Sequence, residues 1–409
     1  MEFRTTKITN GATFISYQFP SKSFAMCIGI PCGSAHEPRN KSGLAHLTEH
    51  LLFKDRVTES KKKRIAGLEA TGGRIGACTN RDYTFVEAAV PSRHASICID
   101  TLTYLLSEPR SSEDGFTNER KIVIGEIGRY LDDPQEYTKE ELAPMSIFSG
   151  QFGRSLLGSR KTVRGFNEQD VVSFWRSAYN PVNFCFVAVG DFDYDSIRED
   201  IDEGVRRVSR NNGFSTRPVK ASPIVSMREL ALEMIGVEQA HLYYAIPIPI
   251  NGVSGVGSEA GAFVLDKYIA DGFSSDLHNR IREENGLCYD IISEVAGGPG
   301  YGYFGIYTNP ARRDVGKVLK LTRKSFEEAQ RMSRRKFETS KMASLGTIEM
   351  ESEKEESAEL ACSLFQEYMA SGDAERYLHM ADFIKEVTLD QVRDLVRTPY
   401  EAITSLVPA

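Results

Sequence analysis

The chain reads as an α+β protein built from two similar domains, each a mostly antiparallel sheet covered by helices. Strand-like and helix-like stretches alternate throughout its 409 residues, a polar break interrupts them near the middle, and the order of stretches after the break repeats the order before it. Length agrees, because a single hydrophobic core stops growing at roughly 250–300 residues.

In the first half, SFAMCIGIP (23–31) is a β-rich apolar run and predicts a strand, followed by a helix at about 43–55. KKRIAGLEATGGRIGACT (62–79) predicts a helix that stops at glycine and gives way to a strand. ASICIDTLTYLLSE (95–108) and FTNERKIVIGEIGRYL (116–131) carry helical periodicity, and VNFCFVAVGD (182–191) returns to strand. Apolar periodicity then fails in RNNGFSTRPVKASP (210–223), where Asn, Gly, Ser and Pro accumulate. The expected division is therefore a first domain over 1–210, a linker over 211–223 and a second domain over 224–409.

Beyond the break, AHLYYAIPIP (240–249) predicts a strand, a helix follows at about 257–270, and SSDLHNRIREENGLCYDII (274–292) again runs helix, glycine, strand. Ile-Pro pairs at 30–31 and 246–247 set the offset between the halves, which reads as an internal duplication. GGPGYGYFGIY (297–307) fits a tight strand connection, and MESEKEESAEL (350–360) a solvated helix face.

Composition narrows the function. Hydrophobic residues at 41% and charged residues at 26% are ordinary for a globular protein. No apolar run reaches the roughly 20 residues of a membrane helix, and MEFRTTKITNG resembles neither a signal nor a transit peptide, so a cytoplasmic protein without a membrane partner is expected. A net charge of −7 offers no footprint for nucleic acid. The seven cysteines are scattered with no Cys-x-x-Cys, which indicates neither a disulfide framework nor a thiolate metal site.

GLAHLTEHLLF (43–53) departs from this ordinary pattern. On a helix, His46, Glu49 and His50 fall within one arc of about 100°, while Leu44, Leu47 and Leu51 form another. Imidazoles one turn apart can converge on a single zinc ion, and the glutamate between them can take a proton from a water that the cation has made acidic. H-x-x-E-H is a known zinc peptidase pattern. The aligned helix of the second half has Ala262, Leu265 and Asp266 at the matching positions, so the polar triplet belongs to the first half alone. A third ligand is still needed. Glu119 and Glu126 stand two turns apart on one helix, where one could bind the metal and the other support a histidine.

With these residues in view, the chain resembles the pitrilysin or insulysin family of zinc peptidases, in the half-length branch that includes mitochondrial processing peptidase and bacterial relatives. GSAHEPRNKSGLAHLTEHLLFK (33–54) resembles the family's approach and metal helix, and YNPVNFCFVAVGDFDYDSI (179–197) the closing strand of its first half. The family's third ligand lies about 76 residues beyond the second histidine, which implies Glu126 as ligand and Glu119 as the supporting acid. RIREENGLCYDI (280–291) resembles the segment that supplies an arginine and a tyrosine seven residues apart, implying that Arg282 and Tyr289 stabilise the oxyanion. Gly76, Ala77, Cys78 and Thr79 would form an edge strand beside the metal that binds an extended peptide. Gly76 is a departure, because asparagine is usual there. Lys54 followed by Asp55, where glycine is common, is another.

The resemblance implies a Zn2+-dependent endopeptidase with Glu49 as general base, acting on short or unfolded peptides in an enclosed chamber, such as precursors or leader peptides. It implies a homodimer, or a heterodimer with a related subunit, in which Arg282 and Tyr289 face the partner's metal. A non-catalytic scaffold or partner subunit of the same fold is the alternative.

Overall fold

The computed structural model describes residues 1–55, 60–208, 227–249, 256–352 and 356–409. The linker expected at 211–223 lies outside the described residues, as does part of 350–360.

Six strands of the first half form one sheet: β1 (Glu2–Lys7), β2 (Thr13–Gln18), β3 (Ser23–Ile30), β4 (Arg74–Thr79), β5 (Thr84–Pro91) and β6 (Cys185–Gly190), in the order β1-β2-β6-β3-β5-β4. Five strands of the second half form another: β7 (Arg228–Met234), β8 (His241–Pro247), β9 (Ile291–Gly298), β10 (Tyr301–Thr308) and β11 (Ala402–Pro408), in the order β7-β11-β8-β10-β9. If β1 is set aside, the orders coincide strand for strand. Each sheet has one parallel pair, β2 with β6 and β7 with β11, at the same place in an otherwise antiparallel array. The α+β reading with repeated halves thus agrees with the topology.

β3 shows why a central strand here loses polar alternation. Phe24, Met26, Ile28 and Ile30 enter the core made with the helices α1 (Leu44–Leu52) and α3 (Ala95–Leu105), whereas Ala25 and Cys27 face the helix Ser357–Ser371. Both faces are covered, so both are apolar. Between α1 and α3 the chain forms α2 (Ser60–Glu69).

The covering helix Ser357–Ser371 comes from the second half. Its Phe365 sits so close to Gly29 that a Cβ there would lie 1.8 Å from the ring, which is why β3 carries glycine at that point. The exchange is mutual. The short helix Ala143–Ile147 of the first half packs with Tyr243, Ala245, Tyr307 and Ala402 on the second sheet, and Ser146 Oγ lies 2.7 Å from Thr404 Oγ1. Each sheet therefore receives a cover from the other half. No helix among the described residues is long and apolar enough to cross a membrane.

Candidate metal centre

α1 begins where the chain can turn sharply and is capped from outside. Gly43 adopts φ 92°, and a Cβ there would meet the Leu157 carbonyl oxygen at 2.4 Å. The buried Glu37 carboxylate accepts hydrogen bonds from the N–H of Gly43 at 3.1 Å and of Ala45 at 2.7 Å, supplying partners for amides that the first helical turn leaves unpaired. Arg154 donates to the backbone oxygens of Glu37 and Pro38, fixing this approach. Leu44, Leu47 and Leu51 then enter the core, and the opposite face presents His46, Glu49 and His50.

The second contributor is α4 (Glu113–Asp132), capped by Ser112, whose hydroxyl accepts from the Gly115 N–H at 3.0 Å. It buries Phe116, Val123 and Ile127 and turns Glu119 and Glu126 toward α1. His46 Nε2 and His50 Nε2 are 3.3 Å apart, and Glu126 Oε2 lies 3.6 Å from the first and 3.5 Å from the second. These are the only three His, Cys, Asp or Glu side chains among the described residues grouped closely enough to hold a metal ion. A tetrahedral zinc site with bonds of about 2.0–2.1 Å has edges of roughly 3.4 Å. The three atoms match one face of that tetrahedron, and two imidazoles with a carboxylate suit zinc chemically.

The surroundings tune each group. His46 is pushed down to about 4 by burial and by neighbouring His50, against the opposite pull of Glu126, so it is a neutral imidazole with a lone pair to give. For His50 burial acts downward, but Glu126, Glu49 and Glu119 outweigh it and raise its pKa. The hydrogen bond from His50 holds the Glu126 carboxylate below its ordinary range. Glu49 is only 9% exposed, and burial raises its proton affinity. Its Oε2 accepts a hydrogen bond from Thr79 Oγ1 at 3.1 Å.

Glu119 Oε2 stands 3.4 Å from His50 Nδ1, and Glu119 Oε1 pairs with Lys54 Nζ at 2.7 Å. Lys54 thus holds the acid that stands beside His50. Thr79 is expected to serve through its backbone, yet its hydroxyl also holds Glu49. Glu37 and Arg154 are absent from the sequence-based set, because a contact between a loop acid and a helix start across the fold leaves no periodic trace.

β4 is the outer strand of the first sheet, and Gly76, Ala77, Cys78 and Thr79 lie in it. Arg282 and Tyr289 meet in the second half, with the guanidinium carbon 4.8 Å from the ring centroid of Tyr289 and 5.8 Å from that of Phe273. Tyr289 is 70% exposed. Among the described residues the side-chain partners of this pair are Phe273, His278 and Glu283, all in the second half.

Two family models match the chain, with the boundary between them at 160–165, inside the first half. Residues 13–160 match the family model described as Insulinase (Peptidase family M16), and residues 165–344 match the one described as Peptidase M16 inactive domain. A protein of Streptomyces coelicolor described as an uncharacterized zinc protease is 27% identical over 328 residues, spanning 78% of this chain and 70% of its own. A protease from Helicobacter pylori superposes with a TM-score of 0.86 at 16% identity, covering 100% of this chain and 99% of that one. A structure from Pseudomonas fluorescens described as a peptidase M16 inactive domain gives 0.85 at 16% identity, covering 100% and 98%. At such identity the structural likeness establishes the fold.

Proposed function

Since the chain belongs to peptidase family M16, the insulinase family, we propose that it is a zinc-dependent endopeptidase cleaving short or unfolded peptides, a class of reaction that includes trimming of precursor and leader peptides. The observation that carries this reading is the triangle of His46 Nε2, His50 Nε2 and Glu126 Oε2, with edges of 3.3–3.6 Å, on a helix that also carries Glu49. Bound there, zinc would supply the Lewis acid that makes a water acidic near neutral pH and polarises a scissile carbonyl.

The chain's own groups do the rest. Glu49 accepts the water's proton and returns it to the departing amine, and burial brings its proton affinity nearer to the pH at which it works. Thr79 holds Oε2 of Glu49 and leaves Oε1 for the proton. Glu119, anchored by Lys54, fixes the ring of His50. The edge of β4 pairs with an extended peptide through backbone hydrogen bonds. Arg282 and Tyr289 donate hydrogen bonds to the oxyanion. In this reading they serve the metal site of a partner chain, so a homodimer, or a heterodimer with a related subunit, completes each site.

The test is Glu49→Gln. We expect the variant to retain about one zinc per chain by elemental analysis while cleavage of an unstructured peptide falls by about 10²–10⁴-fold. Unchanged turnover removes Glu49 from the chemistry. The alternative is a non-catalytic subunit of the same fold, favoured by the description of the family model that matches residues 165–344 as an inactive domain. It predicts less than stoichiometric zinc that added metal does not restore.

A further inference from the structure

Resting on the reading of β4 as a peptide-binding edge, we infer that Glu87 is a specificity residue: it selects a lysine or arginine side chain at the substrate position that pairs with Gly76. Gly76 faces Glu87 in the β4–β5 ladder, and Glu87 faces Cys27 in the β5–β3 ladder, so the three positions form one row across the sheet. Residues in such a row point to the same face. Gly76 occupies the outer end of the row and has no side chain.

The Glu87 carboxylate fills the resulting gap. A Cβ built on Gly76 would lie 3.1 Å from Glu87 Oε1, so this oxygen already stands over the glycine. The other oxygen, Oε2, accepts a hydrogen bond from Cys362 Sγ at 2.8 Å, which anchors the group from the covering helix and directs Oε1 outward. Among the described residues no basic side chain forms an ion pair with Glu87. The result is an anchored, half-buried carboxylate without a cation, one strand in from a free edge.

A peptide strand added to β4 brings the next residue of the row alongside Gly76, with cross-strand Cβ positions about 5 Å apart. The long stem of lysine or arginine spans that distance and sets its cation on Oε1. With a larger residue such as asparagine at this position, the same path is closed by a side chain. Gly76 and Glu87 therefore act together, one opening the way and the other supplying the charge.

The experiment separates this inference from the proposed activity by measuring binding without cleavage. In the Glu49→Gln background, zinc-loaded protein is titrated with fluorescent unstructured peptides in which a single lysine is scanned along a Gln/Ser/Ala sequence, each compared with its glutamine counterpart by anisotropy. One lysine position should improve Kd by about fivefold, the worth of a partly exposed ion pair of roughly 1 kcal/mol. Glu87→Gln should reduce that ratio to about one, Gly76→Asn should do the same, and Glu87→Lys should invert it in favour of glutamate at that position. A purely structural role for Glu87 would not produce the inversion. A lysine preference that survives Glu87→Gln, or no preference at any position, overturns the inference. Loss of cleavage in the wild type with the binding preference intact would instead overturn the peptidase reading.

Discussion

At the residue scale the candidate metal centre is a set of graded environments. His46 is buried deeply enough to stay neutral, whereas His50 is surrounded by three acids. Glu119 is shared between His50 and Lys54, which holds it in place even though Lys54 itself is 41% exposed. Removing the acceptor charge should loosen the ring of His50, so Glu119→Gln should weaken zinc binding by about 10–100-fold in a competition titration with a chromophoric chelator. Lys54→Met should cost less, because its exposed ammonium is screened by water. The H-x-x-E-H pattern, readable from spacing alone, appears here as two imidazoles and a glutamate on one helix face. Helical periodicity alone leaves Glu119 and Glu126 open, since both sit on the same side of α4; the family resemblance selects Glu126, and in the fold it is Glu126 that reaches the triangle.

At the element scale the start of α1 is the sensitive point. Its amides at Gly43 and Ala45 bond to one buried carboxylate, so Glu37→Ala would leave two buried donors without partners. The expected loss is about 2–4 kcal/mol in urea unfolding, with a parallel drop in zinc affinity because the histidines ride on this helix. Gly43→Ala should be at least as harmful, since φ 92° and the Leu157 carbonyl both oppose a Cβ. Helix and strand identities followed from sequence because periodicity and glycine stops are local. The cap did not, because Glu37 and its amides meet only once the intervening loop closes.

At the scale of the whole molecule the halves are tied by exchanged covers. Phe365 lies on the first sheet although it belongs to the second half, so Phe365→Ala should destabilise the protein by about 3–5 kcal/mol and lower the unfolding midpoint of both halves together. A calorimetric scan that resolves two independent transitions would contradict this coupling. Within the second half, the covering helix is itself held by the buried Arg376, 3.4 Å from both Glu367 and Glu259. Burial and the nearby Glu367 push the Glu259 carboxyl up from 4.5 to about 7, against the pull of Arg376. An acid with a raised folded pKa favours folding while protonated, so this contribution is complete below about 4.5 and is lost as pH rises through about 7. Glu259→Gln should therefore flatten the decline in stability between about pH 4.5 and 7, by on the order of 2 kcal/mol in urea titrations.

By itself the sequence determined the α+β class, the repetition of the halves and the face of α1 that carries His46, Glu49 and His50, because each is written in periodicity or in residue types a few positions apart. The tertiary structure alone decided that Lys54, Glu37 and Thr79 hold these side chains and that each sheet is covered from the opposite half, whereas Glu126, which helical periodicity leaves open beside Glu119, is already implied by the family resemblance. Those outcomes depend on which surfaces meet when distant segments pack, and an apolar stripe or a lone acid states that it needs a partner without naming which one.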